Sequence, residues 1–207
     1  MKKAIMILAA ALVTVAGAGV AKASPTCNGV VNGGPLFGNL IQNCGFETGD
    51  FTGWNGTVTT ETDLNVSGVD GLDPLTGLYE AYTGANGSSE TLFQVFQTIA
   101  GRPYTVTFSF DNTGVPDSQF HNGIAAAFGG TTLLSQINVG PSGYTTYSYN
   151  VIGTGGPTVF GFVARNDDGY FDIDDVSVAS TPEPGSLVLL GTGLAGLLGV
   201  ARRRLKR

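Results

Sequence analysis

The sequence predicts an all-β domain, an antiparallel β-sandwich, and three observations lead there. Short β-branched and aromatic runs recur between Gly, Asn, Asp and Pro clusters over residues 39–180, helical periodicity is almost absent, and one run alternates strictly between apolar and hydroxyl side chains. A parallel βαβ architecture lacks the crossover helices it would need.

The expected strands, in chain order, are Thr57–Glu61, Leu78–Tyr82, Leu92–Ile99, Tyr104–Asp111, Gly123–Phe128, Thr131–Ile137, Thr145–Ile152, Thr158–Arg165 and Tyr170–Val178. Nine such runs fit two stacked sheets. The alternating run begins at Tyr104, so Tyr104, Val106, Phe108 and Phe110 are expected to face the core while Thr105, Thr107 and Ser109 face water. From Val159 to Val163 the chain is apolar almost throughout, as expected of a strand covered on both faces. In the last run the apolar residues sit at Phe171 and Ile173, then at Val176 and Val178, so the period of two breaks across Asp174-Asp175. A β-bulge there would return both halves to the core and re-aim one carboxylate. Between the first two runs, Asp63 to Gly68 imitates the start of an EF-hand loop but has Pro74 where the bidentate Glu belongs, and is expected to be a turn.

The two ends of the chain read differently. Residues 1–23 open with Lys2 and Lys3, continue as an uncharged apolar run and close on Ala21-Lys22-Ala23, the pattern of a secretory signal peptide; an uncleaved membrane anchor is the alternative. Residues 24–38 form an N-terminal arm ahead of the 39–180 domain. At the other end, residues 181–207 hold Pro182-Glu183-Pro184, an uncharged stretch over 185–201, and a basic cluster beginning at Arg202, Arg203 and Arg204. Seventeen residues rise roughly 26 Å, enough for a short membrane-crossing helix. The basic cluster would hold its end of that helix in the cytoplasm and leave residues 24–181 outside.

Charge is segregated in the same way. Only Arg102 and Arg165 lie between Ser24 and Thr181, against fifteen of the sixteen acids, so the central interval carries a formal charge of −13. This excludes nucleic acid as a partner, because affinity for it comes mostly from Lys and Arg replacing counterions. Cys27 and Cys44 are the only cysteines. Behind an export signal they are expected to form a disulfide tethering the arm, with two buried thiols as the alternative.

The tripartite ending resembles the PEP-CTERM sorting signal of Gram-negative bacteria, in which a Pro-Glu-Pro motif precedes a membrane helix and an Arg-rich tail. The resemblance implies an exosortase as partner, a membrane protease that would cut near Pro182-Glu183-Pro184 and pass the ectodomain to the cell surface or extracellular matrix. The motif itself would be extended, since Pro182 and Pro184 disfavour helix and strand. A second resemblance rests on Asn43-Cys44-Gly45-Phe46-Glu47 and on the stretch from Tyr170 to Val178 that contains Asp174-Asp175-Val176. These look like the two ends of the galactose-binding-like jelly rolls found among carbohydrate-binding modules, with Cys44 where that family commonly has Gly. The resemblance implies a jelly roll, exopolysaccharide or another glycan as partner, and a structural calcium pinning the first and last strands. Glu47 and Asp174 match its ligand positions, with Asp50 and Asp175 as further candidates; a turn cap at Glu47 and a plain strand end at the Asp pair are the alternatives.

Aromatic side chains could stack on sugar. Tyr147 and Tyr149 share one strand face and are the candidate glycan contacts, with cross-strand packing as the other reading. Tyr79, Tyr82 and Tyr144 are available too, whereas Trp54 is expected in the core. Catalysis finds little support: there is no Gly-x-Ser-x-Gly elbow, no His-Glu-x-x-His and no P-loop, and His121 stands alone. The expected function is thus that of an exported, non-catalytic surface or matrix protein that binds glycan. A structural or adhesive protein without a small ligand and a secreted hydrolase are the alternatives.

Overall fold

The computed structural model describes residues 38–57, 65–67, 74–84, 87–114, 121–167, 169–181 and 192–193. The expected signal peptide, Cys27, the Pro182-Glu183-Pro184 motif and the basic cluster fall outside these residues, as does nearly all of the expected membrane helix. Among the described residues no helix is long and apolar enough to cross a membrane.

Among the described residues ten strands follow one another: β1 (Asn55–Thr57), β2 (Asn65–Ser67), β3 (Glu80–Thr83), β4 (Glu90–Thr98), β5 (Pro103–Asn112), β6 (Asn122–Phe128), β7 (Thr131–Ile137), β8 (Ser142–Ile152), β9 (Gly156–Asn166) and β10 (Phe171–Ser180). They make two five-stranded sheets, the first in the order β1-β4-β9-β6-β7 and the second in the order β2-β3-β10-β5-β8. Every strand pairing is antiparallel. Consecutive strands change sheet repeatedly, which is what builds a sandwich rather than a meander.

The inner faces form one aromatic core. Tyr104, Val106, Phe108 and Phe110 of β5 are buried as their alternation predicts. Phe108 touches both layers, with ring centroids 6.0 Å from Phe160 and 5.2 Å from Phe162 of β9, and 5.7 Å from Tyr147 of β8. The predicted bulge is present. Pairing of β10 with β5 shifts register between Asp174 and Ser177, Asp175 takes φ 51°, and Phe171, Ile173, Val176 and Val178 are all fully buried.

Three expectations are corrected. Val159 and Val163 are each 46% exposed while Phe160 and Phe162 between them are buried, so β9 is covered on one face only. A sandwich leaves the outer face of each sheet open, and an all-apolar run does not reveal whether anything covers it. Residues 65–67 form the short strand β2 against β3, where a turn was expected. The pairing comes from a partner fifteen residues away, which local composition cannot register. The first expected strand lies earlier than its composition suggested, at Asn55–Thr57, with residues 58–61 outside the described ones.

The opening segment closes one end of the sandwich and ties both sheets together. Leu40 N–H donates to Val178 O (2.8 Å), Val176 N–H to Cys44 O (2.9 Å), and the Asn39 side chain bonds the backbone of Val176 and Val178. Toward the other sheet, Gln94 of β4 bonds Gln42 in both directions. Trp54 stacks on buried Phe46 (5.4 Å) and donates its indole N–H to Asn43 O (3.1 Å), a core role as expected.

Candidate functional site

The outward positions of the second sheet are where its polar chemistry collects. Because Phe171 and Ile173 point inward, Asp172 and Asp174 must point outward, and both are nonetheless fully buried. Register places Tyr82 of β3, Asp172 of β10 and Asp111 of β5 in one row across three strands. Above that row lies Tyr144 of β8. Its hydroxyl donates to Glu80 of β3, and since β10 and β5 separate these two strands, the tyrosine has to reach across the sheet face.

Burial sets the protonation of this row. Neither oxygen of Asp172 meets a donor, nor does Oδ1 of Asp111, so the two carboxyls are left facing each other. Burial pushes the Asp172 carboxyl up to about 9, with the neighbouring Asp111 and Glu80 adding to the effect. Asp111 is raised as well, again by burial, and the Asp172 hydrogen bond partly offsets this. At neutral pH Asp172 therefore keeps its proton and donates it to Asp111. The Tyr144 hydroxyl is held far above its ordinary range by burial and by Glu80, and stays a donor.

The aromatic part is open. Tyr170 is 36% exposed and meets Tyr82 edge to face at 5.2 Å. Glycine is required beside it: a Cβ on Gly84 would come within 2.4 Å of the Tyr170 ring and 2.5 Å of Gly169 O. Half-exposed aromatic rings beside carboxyl and phenol groups can stack on a hydroxyl-rich ring and hydrogen-bond its hydroxyls.

The candidate glycan contacts Tyr147 and Tyr149 sit elsewhere. Both face inward from β8 and stack on Phe108, and Tyr147 also stacks on Phe110 at 5.0 Å with its hydroxyl bonded by Gln136 of β7. Their rings seal the seam between the two edge strands, so packing takes the place of the expected sugar contact.

Three of the four candidate calcium ligands converge on the loop ahead of β3. Glu47 accepts from Leu78 N–H (2.9 and 3.0 Å) and Tyr79 N–H (3.1 Å). Asp174 accepts from Thr76 N–H (2.9 Å) and Asp175 N–H (2.6 Å), and Asp175 from the Thr76 hydroxyl (2.8 Å). Gly77 between them has φ 73°, and a Cβ there would fall 2.0 Å from Glu47 Oε1. Asp50 stays apart in an exposed turn, bonded by Thr48 and Thr52, which lower its carboxyl below the usual value. Among the described residues no three Asp, Glu, His or Cys side chains are grouped to hold a metal. The chemistry of Glu47 and Asp174 nevertheless fits a hard cation: their donors are carboxylate oxygens with a lone pair to spare, and burial has pushed Asp174 up to about 7, a cost that a nearby cation would relieve. Cys44 is buried with its thiol free among the described residues, and its expected partner Cys27 lies outside them.

Comparison with solved structures agrees with the two-sheet jelly roll at the level of the fold. The carbohydrate-binding module TmCBM61, solved in complex with β-1,4-galactotriose, is 22% identical with a TM-score of 0.52, covering 69% of this chain and 99% of that one. The enzymatically active domain of tailspike protein 4 from bacteriophage CBA120 is 13% identical with a TM-score of 0.53, over 69% of this chain; the likeness spans only 21% of that longer structure. Beyond the sandwich, residues 180–204 match the PEP-CTERM protein-sorting motif, the mark of an exported, membrane-anchored precursor that an exosortase processes. No curated protein matches the chain.

Proposed function

We propose that this chain is a non-catalytic glycan-binding protein of the cell surface or extracellular matrix, and that the outer face of its second sheet is the binding face. The observation that carries the reading is the row Tyr82–Asp172–Asp111, overlain by Tyr144 and flanked by exposed Tyr170. Tyr82 and Tyr170 offer ring faces, while Tyr144, Asp111 and Glu80 offer a polar floor whose protons are already placed. Binding suits this face better than turnover. Asp111 and Asp172 face each other in direct contact, whereas hydrolysis of a glycosidic bond needs two carboxyls separated by the space the bond occupies.

A calcium ion, where bound, would add a fixed positive charge joining Glu47 at the start of the sandwich to Asp174 at its end, and the 76–79 loop would close around it. The check is thermal melting of the full-length chain with and without calcium. Bound at a hundredfold excess over its dissociation constant, calcium stabilises by about 2.7 kcal/mol, and Glu47→Gln or Asp174→Asn should abolish the increment. A wild-type melting point indifferent to calcium removes the ion from the reading.

Glycan binding is tested with β-1,4-galactotriose as first probe, followed by a panel of neutral and acidic polysaccharides. Tyr170→Ala and Tyr82→Ala should each weaken the best binder by about tenfold, the loss of one stacking contact, with the melting point of Tyr170→Ala unchanged. Binding that survives both substitutions, or a panel without a binder, would sink the proposal.

A further inference from the structure

The outer face of the first sheet has a different character, and nothing so far gives it a task. Register aligns Val95 with Val159, and Val163 stands four residues further on the same face of β9; they are 52%, 46% and 46% exposed. This ridge of branched side chains runs beside a shallow trough of small ones, Gly123, Ala125 and Ala127 of β6. Within the ridge Gly161 stands between Val159 and Val163, paired with Phe93 on the same outward face, and a Cβ there would lie 2.5 Å from Phe93 Cβ and 2.6 Å from Leu92 O. At the rim of the trough, Ile137 of β7 pairs with Gly123 and is 76% exposed. Exposed apolar side chains scattered singly need no explanation, but a contiguous set on adjacent strands marks a contact surface.

Charge identifies the occupant. Residues 24–181 carry a formal charge of −13, so two copies repel each other through most approaches. Among the described residues, no outward position of the first sheet is a carboxylate. The one charged side chain there, Arg165, is neutralised by two hydrogen bonds to Asp167 (2.7 and 2.6 Å). The accessible carboxyls on the side of the second sheet, by contrast, are Asp111 on its outward face and Glu47 and Asp175 at the loop ahead of β3. A copy of this chain can therefore approach another closely through the first sheet and not through the second. The surface is also self-complementary: a two-fold axis along the line between ridge and trough sets each ridge into the other copy's trough, as an isologous interface requires.

We propose that the outer face of the first sheet is a homodimer interface, in which the Val95–Val159–Val163 ridge of each copy packs into the β6 trough of its partner. The two second-sheet faces then point in opposite directions. If the glycan reading above also holds, the dimer is bivalent and can bridge two polysaccharide chains; the dimer itself does not depend on that reading.

The test is sedimentation of the full-length chain in density-matched neutral micelles. Wild type should self-associate to a dimer. Val159→Glu combined with Val163→Glu puts four like charges into the interface and should weaken association by at least about tenfold, with the melting point retained because both side chains are half exposed. Ala125→Lys, from the trough, should have the same effect and decides the matter if the first variant fails to fold. Ser148→Glu, on the opposite face of the sandwich, should leave association unchanged. A monomeric wild type, or association that persists in folded Val159→Glu/Val163→Glu or in Ala125→Lys, overturns the proposal; the latter would assign association to another part of the chain.

Discussion

The two outer faces of this sandwich share one core and one fold but have opposite chemistry. On the second sheet, outward residues of β3 and β10 are carboxyls and a tyrosine, and those of β5 and β8 are mostly Thr, Ser and Asn, with Tyr144 reaching across the strands to Glu80. On the first, outward residues are mostly apolar or small, among them Phe93, Val95, Val159, Gly161, Val163, Ala125, Ala127 and Ile137, and the charge of Arg165 is met by Asp167. Inward positions are constrained alike in both sheets, because each must fill the same interior. Outward positions are free of that demand, so differences in them report function more directly than anything in the core does.

The largest expected effect removes both faces at once. Phe108 is fully buried and its ring meets Phe160 and Phe162 of the first sheet and Tyr147 and Tyr149 of the second. Phe108→Ala should cost about 3–5 kcal/mol, the usual range for deleting a buried aromatic side chain, measurable by denaturant unfolding. A cost under about 1 kcal/mol would mean that the two sheets are held together from elsewhere and that the faces could be studied as independent units.

A smaller effect separates the faces, and its sign is opposite. Asp172 is fully buried against Asp111, and its carboxyl must be kept protonated at a cost. Asp172→Asn keeps the shape, gives Asp111 a permanent N–H donor and removes that cost, so the variant should be more stable at pH 7 by about 1 kcal/mol. Glycan affinity, if it uses this row, should fall at the same time, the trade expected where a site is maintained against stability. Destabilisation by Asp172→Asn would show instead that the acid pair is a structural fixture.

Much of this was legible in the chain, and the gaps have identifiable causes. The alternation at Tyr104–Phe110 gave its inward face directly, and the broken period at Asp174-Asp175 located the bulge because two apolar pairs had to reach one core. By contrast, the tyrosines of β8 were ambiguous. Tyr144 and Tyr147 are three apart, so they must lie on opposite faces, but the strand's own apolar residues, Val151 and Ile152, are adjacent and point both ways. Only pairing with β5 decides that Tyr147 and Tyr149 go inward, opposite Phe108 and Val106, and that Tyr144 goes outward. The row Tyr82–Asp172–Asp111 was likewise out of reach, since it joins residues 29 and 61 positions apart whose alignment is fixed by register rather than by any local pattern. Tyr170 was expected only as the first residue of the last strand and not as a sugar contact: it precedes β10, and its position depends on the missing side chain of Gly84.

The smallest expected effect concerns the Arg165–Asp167 ion pair at the edge of the first sheet. Asp167 is held below the usual carboxylate value chiefly by its hydrogen bonds from Arg165, with the Gly87 N–H and the charge of Arg165 contributing. A depressed folded-state value means that the pair stabilises the protein above the ordinary carboxylate range, and that this contribution is lost as pH falls through the folded-state value. The window therefore lies on the acid side of about 4, and wild type should lose its advantage over Asp167→Asn there and nowhere else. Because the pair is largely solvated, the stability difference at neutral pH should be close to the limit of measurement. The informative readout is association. Asp167→Asn removes the carboxylate that accepts two hydrogen bonds from Arg165 on the first sheet, so two copies meeting through that face would each bring one negative charge fewer beside that guanidinium. Self-association should then weaken slightly and recover with added salt, while glycan binding at the second sheet is unaffected. An effect on glycan binding without one on association would reverse the roles assigned to the two faces.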